Sequence, residues 1–421
     1  MEESRTAKLE TPNLERETRN AERETCFMDD SRFAQTLDEL FAWCRQHDFT
    51  GYDPFDALNS KIFQATPFNN SVAARLLWTQ TVKRFPLNLR GIALAQPGKN
   101  SKGIALFALA ALATYRRTRT AEAEAGAREL LQQLISLRLT RQSGVAWGYN
   151  FDWQSRVFFA PRGTPTVVPT AFAARALVKA ADAFGDNAYL ELARAAGDFI
   201  IRELPRSVEN ESEVCFSYAP GTNTRIFNAS LLAAETLALV GTRDAASSHC
   251  DLAVKAVRYV VNQQRDDGSW FYGAEPNQNW IDNFHTAYLL SSLKRISDSC
   301  APAQAEEFKA SLQRGYAFWR KSFFLADGWA KYYHDTLYPV DTHAAAAAIV
   351  SLLDLIELDR DARSLAERIA TWSISHLRDR RGFFYYQRRR FYTVHTPFMR
   401  WTQAWMTYAL ARLLETAEQS S

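Results

Sequence analysis

The residues best suited to acid/base chemistry fall in short, similar clusters. Asp282 and His285 sit within Trp280-Ile-Asp-Asn-Phe-His-Thr-Ala-Tyr288, and Asp341 and His343 within Tyr338-Pro-Val-Asp-Thr-His-Ala344. Residues three apart at a helix start share a face. A carboxylate there orients an imidazole and favours its charged form. That pairing suits proton transfer at a carbon or hydroxyl. A third cluster runs from Thr393 to Trp405. Pro397 fits a helix start, which places Arg400, Trp401 and Gln403 in the first turns and His395 just before them. Arginine is well suited to a carboxylate or phosphate on a sugar. Asp152, between Tyr149 and Trp153, is a further candidate acid, because apolar rings raise a carboxyl pKa. Plainer roles compete with each of these: Asp282 and Asp341 as N-caps, Arg400 as the partner of a structural acid, and Asp152 as a loop residue. Hydrolysis by two carboxyls would draw on pairs among Asp53, Asp56, Asp152, Asp282 and Asp341.

Aromatic loops precede these clusters. Gly144-Val-Ala-Trp-Gly-Tyr149, Val214-Cys-Phe-Ser-Tyr218, Gly268-Ser-Trp-Phe-Tyr272, Gly328-Trp-Ala-Lys-Tyr-Tyr333 and Gly382-Phe-Phe-Tyr-Tyr386 include alternating rings, a mark of short extended segments. Trp147, Tyr149, Trp153, Trp270, Tyr272, Trp280, Trp329 and Tyr333 are the candidate sugar platforms. Arg388-Arg-Arg390 lies among Tyr385, Tyr386, Phe391 and Tyr392. It reads as a contact for an acidic polysaccharide or as a solvated hairpin tip, and Lys99-Asn-Ser-Lys102 reads in the same two ways.

Helices must position these loops. The periodicity predicts amphipathic helices near 30–47, 121–138, 187–203, 244–264, 303–323 and 361–378. Helices apolar nearly all round alternate with them near 103–115, 170–184, 229–240, 283–296, 342–358 and 400–416. Thr170, Asn228, His285, His343 and Arg400 are equivalent points, with steps of 58, 57, 58 and 57 residues. A regular step of this length marks a repeat. Six helical hairpins can close into a ring, with a helix near 70–84 as an insertion. The aromatic loops then gather at one end, around the N-termini of the inner helices. Asn228 reads as an N-cap.

The totals narrow the function. Lys plus Arg is 50 and Asp plus Glu is 47, so the net charge is 50 − 47 = +3, too balanced for a general nucleic-acid binder. The five cysteines are scattered, without a CxxC pair, so neither a disulfide framework nor a zinc site is expected. No Walker loop, GxSxG, HExxH or DxDD occurs, so no cofactor or metal is called for. No apolar run reaches the ~20 residues of a membrane span. Residues 1–28 read as a charged, disordered leader without a signal h-region and 29–421 as a single domain. A soluble cytoplasmic protein is the expectation.

The hairpin repeat resembles the (α/α)6 toroids of the six-hairpin glycosidase-like superfamily, which include sugar 2-epimerases, unsaturated-glucuronyl hydrolases and polysaccharide lyases. Residues 280–288, 338–344 and Pro161-Arg-Gly-Thr-Pro-Thr-Val-Val-Pro-Thr170 are similar to motifs of bacterial proteins encoded among exopolysaccharide or surface-polysaccharide biosynthesis genes. The resemblance covers residues 30–416. It implies an all-α toroid, a saccharide substrate and polysaccharide-synthesis machinery as a partner. The resulting expectation is acid/base chemistry of an epimerase, lyase or hydrolase. His285 and His343 would move the proton, Asp282 and Asp341 would orient them, and Arg400 would hold an anionic group. A glycan-binding scaffold and a prenyl-handling toroid are the alternatives.

Overall fold

A computed structural model describes residues 30–244, 247–300 and 305–418; the leader expected over 1–28 lies outside them. Helix α1 spans residues 30–46. The short α2 (Lys61–Gln64) and α3 (Val72–Arg84) follow, then α4 (Ser101–Thr118), α5 (Ala121–Ser136), α6 (Val167–Phe184), α7 (Asn187–Glu203), α8 (Phe227–Asp244), α9 (Ser247–Asn262), α10 (Asn283–Cys300), α11 (Ala305–Phe323), α12 (Thr342–Asp354), α13 (Ala362–Leu377) and α14 (Ala404–Glu418). Helices α4, α6, α8, α10, α12 and α14 each pack on the next, and α14 returns to α4, so the inner ring closes. Helices α1, α5, α7, α9, α11 and α13 form the outer layer. The chain is therefore an all-α (α/α)6 toroid.

The two layers follow from their sequences. The outer helix α9 buries Ala253, Ala256, Val257 and Val260 on one stripe. The inner helix α12 buries every residue from Thr342 to Leu353, including five consecutive alanines, so its neighbours approach on both sides. The repeated glycine before each aromatic loop also has a packing cause. Gly268 and Gly328 take φ of +87° and +91°, and a Cβ there would meet the carbonyl oxygens of Arg314 on α11 and Arg368 on α13 at 2.5 and 2.3 Å. The glycines seat each loop against the next outer helix.

Two details depart from expectation. The last inner helix opens with a π-turn at Met399–Gln403, and α12 stops at Asp354 before a 3-10 turn. Cys250 on α9 is disulfide-bonded to Cys300 at the end of α10, whereas no pairing was expected; Cys44 and Cys215 are free and buried, and Cys26 lies outside the described residues. Disulfides persist in oxidising compartments, so the thiols lend no support to a cytoplasmic location. No helix among the described residues is long and apolar enough to cross a membrane.

Towards their C-termini the inner helices share a belt of alternating charge. Arg175 on α6 grips Glu235 on α8 through two bonds of 2.8 Å, and Glu235 also accepts from Arg295 on α10 at 3.2 Å. Arg295 reaches Asp354 on α12, which accepts from Arg412 on α14 at 3.2 Å. Arg412 pairs with Glu415 at 3.1 Å, and Glu415 with Arg116 on α4 at 2.5 Å. Among the described residues, only the α4–α6 junction has no such pair in this belt. Glu235→Ala would leave two arginines without their shared counter-charge. It is expected to lower stability by about 3 kcal/mol, measured by urea denaturation, whereas removal of the exposed Glu306 partner of Lys309 should change it by less than ~1 kcal/mol.

Candidate active site

At the other end of the ring, the first backbone N–H groups of the inner helices have no partner within their own helix. They are satisfied by the neighbouring sector. Val167 donates to the Tyr218 carbonyl at 3.0 Å, Phe227 to Tyr272 at 3.3 Å, Asn283 to Tyr332 at 2.9 Å, Thr342 to Tyr386 at 3.2 Å and Met399 to Tyr52 at 3.0 Å. At the sixth junction the Ser101 hydroxyl donates to the Gly148 carbonyl at 2.7 Å, beside Tyr149. Each sector thus fixes a tyrosine at the mouth. In an extended segment, residues two apart leave by the same face and their neighbours by the other. Here Trp147 and Trp270 fill the wall while Tyr149 and Tyr272 reach the mouth. Burial raises the pKa values of Tyr149, Tyr218, Tyr272, Tyr332 and Tyr386, so these phenols stay protonated.

Asp282 and His285 meet in this mouth. The Asp282 carboxylate accepts the His285 backbone N–H at 3.0 Å and lies 2.7 Å from His285 Nδ1. Trp280 Nε1 donates to the same carboxylate at 3.0 Å. Asp282 is therefore cap and orienter at once. An ionised carboxylate only accepts, so His285 carries its proton on Nδ1 and leaves Nε2 as a base. Nε2 has no protein partner, and the side chain is 23% exposed. Tyr272 stacks on Trp280 at 4.4 Å and lies 4.6 Å from the His285 ring. These groups enclose a pocket of about 10 Å³ with Asn228, whose buried Oδ1 lacks a partner. That is room for one water.

His343 lies deeper and is fully buried. Its ring sits among Phe284, Trp401 and Trp405, at 4.6, 4.1 and 5.0 Å. Its Nε2 meets the Tyr288 hydroxyl, and Lys102 Nζ approaches that hydroxyl at 3.5 Å. Lysine only donates, so Tyr288 gives its proton to Nε2, and the His343 proton sits on Nδ1, which has no partner. Burial first, then the charges of Lys102, Arg400 and His285, push the His343 pKa well down. Lys102 stands over the rings of Phe172, Tyr288 and Trp405 at 4.5, 5.1 and 5.4 Å. Burial and the Arg400 charge lower its pKa too. The bore is thus filled by rings around a cation, without the apolar cavity that prenyl handling would need.

The other expected residues divide by place. Asp341 does not orient the His343 ring. It caps α12 through the backbone N–H groups of His343 and Ala344, and accepts from Trp401 Nε1 at 3.1 Å and Gln387 at 3.0 Å. Arg400 presents no free guanidinium, since Asp53 binds it at 2.5 and 2.8 Å. Asp152 accepts the Arg162 backbone N–H at 2.7 Å and so secures a hairpin, Trp153–Gln154 with Phe159–Ala160. Trp147 and Trp270 are wall residues whose Nε1 groups donate to the Leu134 and Val260 carbonyls. Trp329 packs outward on Trp372 at 5.2 Å. His395 stacks on Tyr385 and lines a separate groove with Trp43 and Pro86. Gln403 is buried and clamps the Phe384 backbone through both amide atoms. Tyr149, Trp153, Tyr272, Trp280, Tyr333 and Trp401 do gather at the mouth. Trp153 roofs it, 5.1 Å from Tyr218 and 5.7 Å from Tyr149. Phe284 and Tyr288 were missed, and Lys102, expected as a polysaccharide contact or a solvated tip, is buried in the bore instead. No group of three His, Cys, Asp or Glu side chains among the described residues is placed to hold a metal.

No family model matches the sequence, and neither does any curated protein. Solved structures do match. Over 76% of this chain and 88% of theirs, the residues superpose on cellobiose 2-epimerase from Bacillus thermoamylovorans with a TM-score of 0.58 and 14% identity. A GH76 α-mannanase from Bacteroides thetaiotaomicron gives 0.59 and 12%, over 76% and 87%. An unsaturated glucuronyl hydrolase specific for heparin gives 0.56 and 15%, over 76% and 86%. At such identities the likeness establishes the fold alone.

Two titrations test this geometry. Lys102→Met removes a charge that keeps His343 neutral, so His343 should take up a proton at higher pH than in the parent, read by imidazole ¹⁵N shifts. Burial raises Asp341 to about 6, against its ordinary value of 3.8. A carboxyl whose pKa rises on folding stabilises the fold fully below its unfolded value and loses that contribution as pH rises through the folded one. Asp341→Asn should therefore flatten the fall in denaturation midpoint between pH 4 and about 6.

Proposed function

We propose that this chain is a carbohydrate-active enzyme that transfers a proton at a sugar carbon or hydroxyl through His285. The observation that supports this reading is the Asp282–His285 pair: a carboxylate-oriented imidazole with an unoccupied Nε2, beside stacked rings, at the mouth of a toroid. The fold likeness to an epimerase, a mannanase and a glucuronyl hydrolase favours a saccharide. Among their reaction types, the geometry favours proton abstraction, as in epimerisation or elimination. Hydrolysis by paired carboxyls is less well supported, since Asp282 and Asp341 are both engaged by caps and indole N–H groups. His285 Nε2 would take the proton, and Asp282 would steady the imidazolium that forms. A role in bacterial polysaccharide assembly rests on motif resemblance.

The competing reading is saccharide binding without turnover. Incubation with reducing aldoses and uronates in D2O, followed by ¹H NMR, separates the two. The enzyme reading expects exchange at a sugar carbon that falls 10²–10⁴-fold in His285→Ala. Asp282→Asn should also slow it, through the wrong tautomer. Exchange unaffected by His285→Ala overturns the assignment; saturable binding without exchange favours the binding module.

A further inference from the structure

The arginines of this toroid are mostly paired, as Arg90, Arg175, Arg225, Arg295, Arg400 and Arg412 show. Three arginines around the mouth are not, and beside them burial lowers the Lys83 pKa to about 7. Lys83 and Arg84 end α3, Arg156 is at the turn of the 153–160 hairpin, and Arg389 follows the strand Gln387–Arg388. Among the described residues, none of these four makes an ion pair or a hydrogen bond to a carboxylate. Three separate segments thus deliver unneutralised charge to one opening.

Their contacts tie them to the site. The Arg156 guanidinium lies 4.8 Å over Trp280, the indole that holds Asp282. Arg389 donates to Gln387 at 2.8 Å, and Gln387 donates to Asp341 at 3.0 Å. Arg389 Nε is buried and has no partner. The Tyr392 hydroxyl donates to the Arg84 carbonyl at 3.2 Å, which sets the end of α3 beside the Arg389 hairpin. Lys83 Nζ lies 4.3 Å over Phe55, which in turn touches Trp401. Arg156 and Arg84 both act on the Tyr333 hydroxyl, and Arg389 and Arg84 both act on Tyr386. The carboxylates facing this group, Asp282 and Asp341, are engaged by the bonds already described. An arginine stacked over a ring keeps its N–H edge free for an anion.

We propose that the mouth takes an anionic saccharide, whose carboxylate, phosphate or sulfate is held by Arg84, Arg156 and Arg389 with the sugar beside His285. This assigns to these three residues the anion contact expected of Arg400, which Asp53 occupies. It rests on the mouth being the substrate site, but not on which reaction occurs there. The rim comes largely from the α3 insertion and the two hairpins, so it sets specificity apart from the acid/base pair.

Calorimetry with D-glucuronate, D-glucose 6-phosphate and D-glucose as probes tests it on the full chain. At least one anionic probe should bind at least about tenfold more tightly than glucose, with affinity falling as salt rises. Arg156→Gln and Arg389→Gln should each weaken that probe about tenfold and leave glucose unchanged. Circular dichroism checks that both variants fold. The probe that binds distinguishes a carboxylate from a phosphate. Equal affinity for glucose, no binding of either anion, or variants that bind like the parent overturns the proposal. Binding is read without turnover, so loss of the anion preference would sink the rim, while His285-dependent exchange of neutral sugars would leave the acid/base reading standing.

Discussion

The ring depends on satisfying the N-terminal backbone N–H groups of six inner helices inside protein. An orphaned buried donor costs about 1–3 kcal/mol, and a closed ring of helices would bury many. The carbonyls of Tyr52, Tyr218, Tyr272, Tyr332 and Tyr386 accept five of them from the preceding sector, and the Ser101 hydroxyl spans the sixth junction. Because each bond crosses to the next sector, no hairpin is complete alone. The same carbonyls pin the tyrosines that build the mouth. Scaffold and site are one set of residues, so Asp282 serves as cap and orienter without conflict.

The belt near the opposite end closes the ring by a different device. Charges there alternate from helix to helix, Arg175, Glu235, Arg295, Asp354, Arg412, so each ion answers both neighbours. A buried pair is weak evidence for net stability. Alternation instead penalises a shift of one helix by a turn, which would part its charge from the counter-charges on both neighbours. Between mouth and belt, the rings of Phe172, Tyr288 and Trp405 surround Lys102. The lysine has no carboxylate at hand, and the ring faces partly offset its desolvation. Burial first, and the Lys102 charge after it, hold the His343 pKa down, which separates the two histidines: His285 at the surface with a carboxylate, His343 in the interior with a phenol.

The architecture was legible because a ring of hairpins writes its period into the chain. Helix kinds alternate, and the step of 57 or 58 residues follows from equal hairpins. The belt repeats as well, at separations of 60, 60, 59 and 58 residues, a second period available in the sequence. The mouth was legible as a location, since loops before inner helices must converge there. Roles within it were not, because a side chain's partner depends on distance across the ring. Arg400 and Asp53 are 347 residues apart and nothing local pairs them. Trp147 and Tyr149 look alike as ring-bearing loop residues, yet one fills the wall and the other faces the opening. The Cys250–Cys300 pairing was hidden for the same reason: α9 and α10 bring together residues 50 apart.

The filling of the bore bears on what chemistry fits. Rings seal His343 from water, so under the proposed function a sugar would meet His285 first, with Tyr272 and Trp280 beside it and the hairpin of Trp153 above. In such a setting a single imidazole is enough for proton abstraction, provided its tautomer is fixed, and the Asp282 bond to Nδ1 fixes it. Stabilising the charge left on the substrate is the harder requirement. Neutral phenols do this weakly, whereas unpaired guanidinium groups do it strongly at short range. The mouth has both, with phenols on the wall and cations on the rim. A sugar that carries its own negative charge would be drawn by the rim, and its reacting carbon would then lie within reach of His285 Nε2, the unpartnered imidazole nitrogen at the mouth.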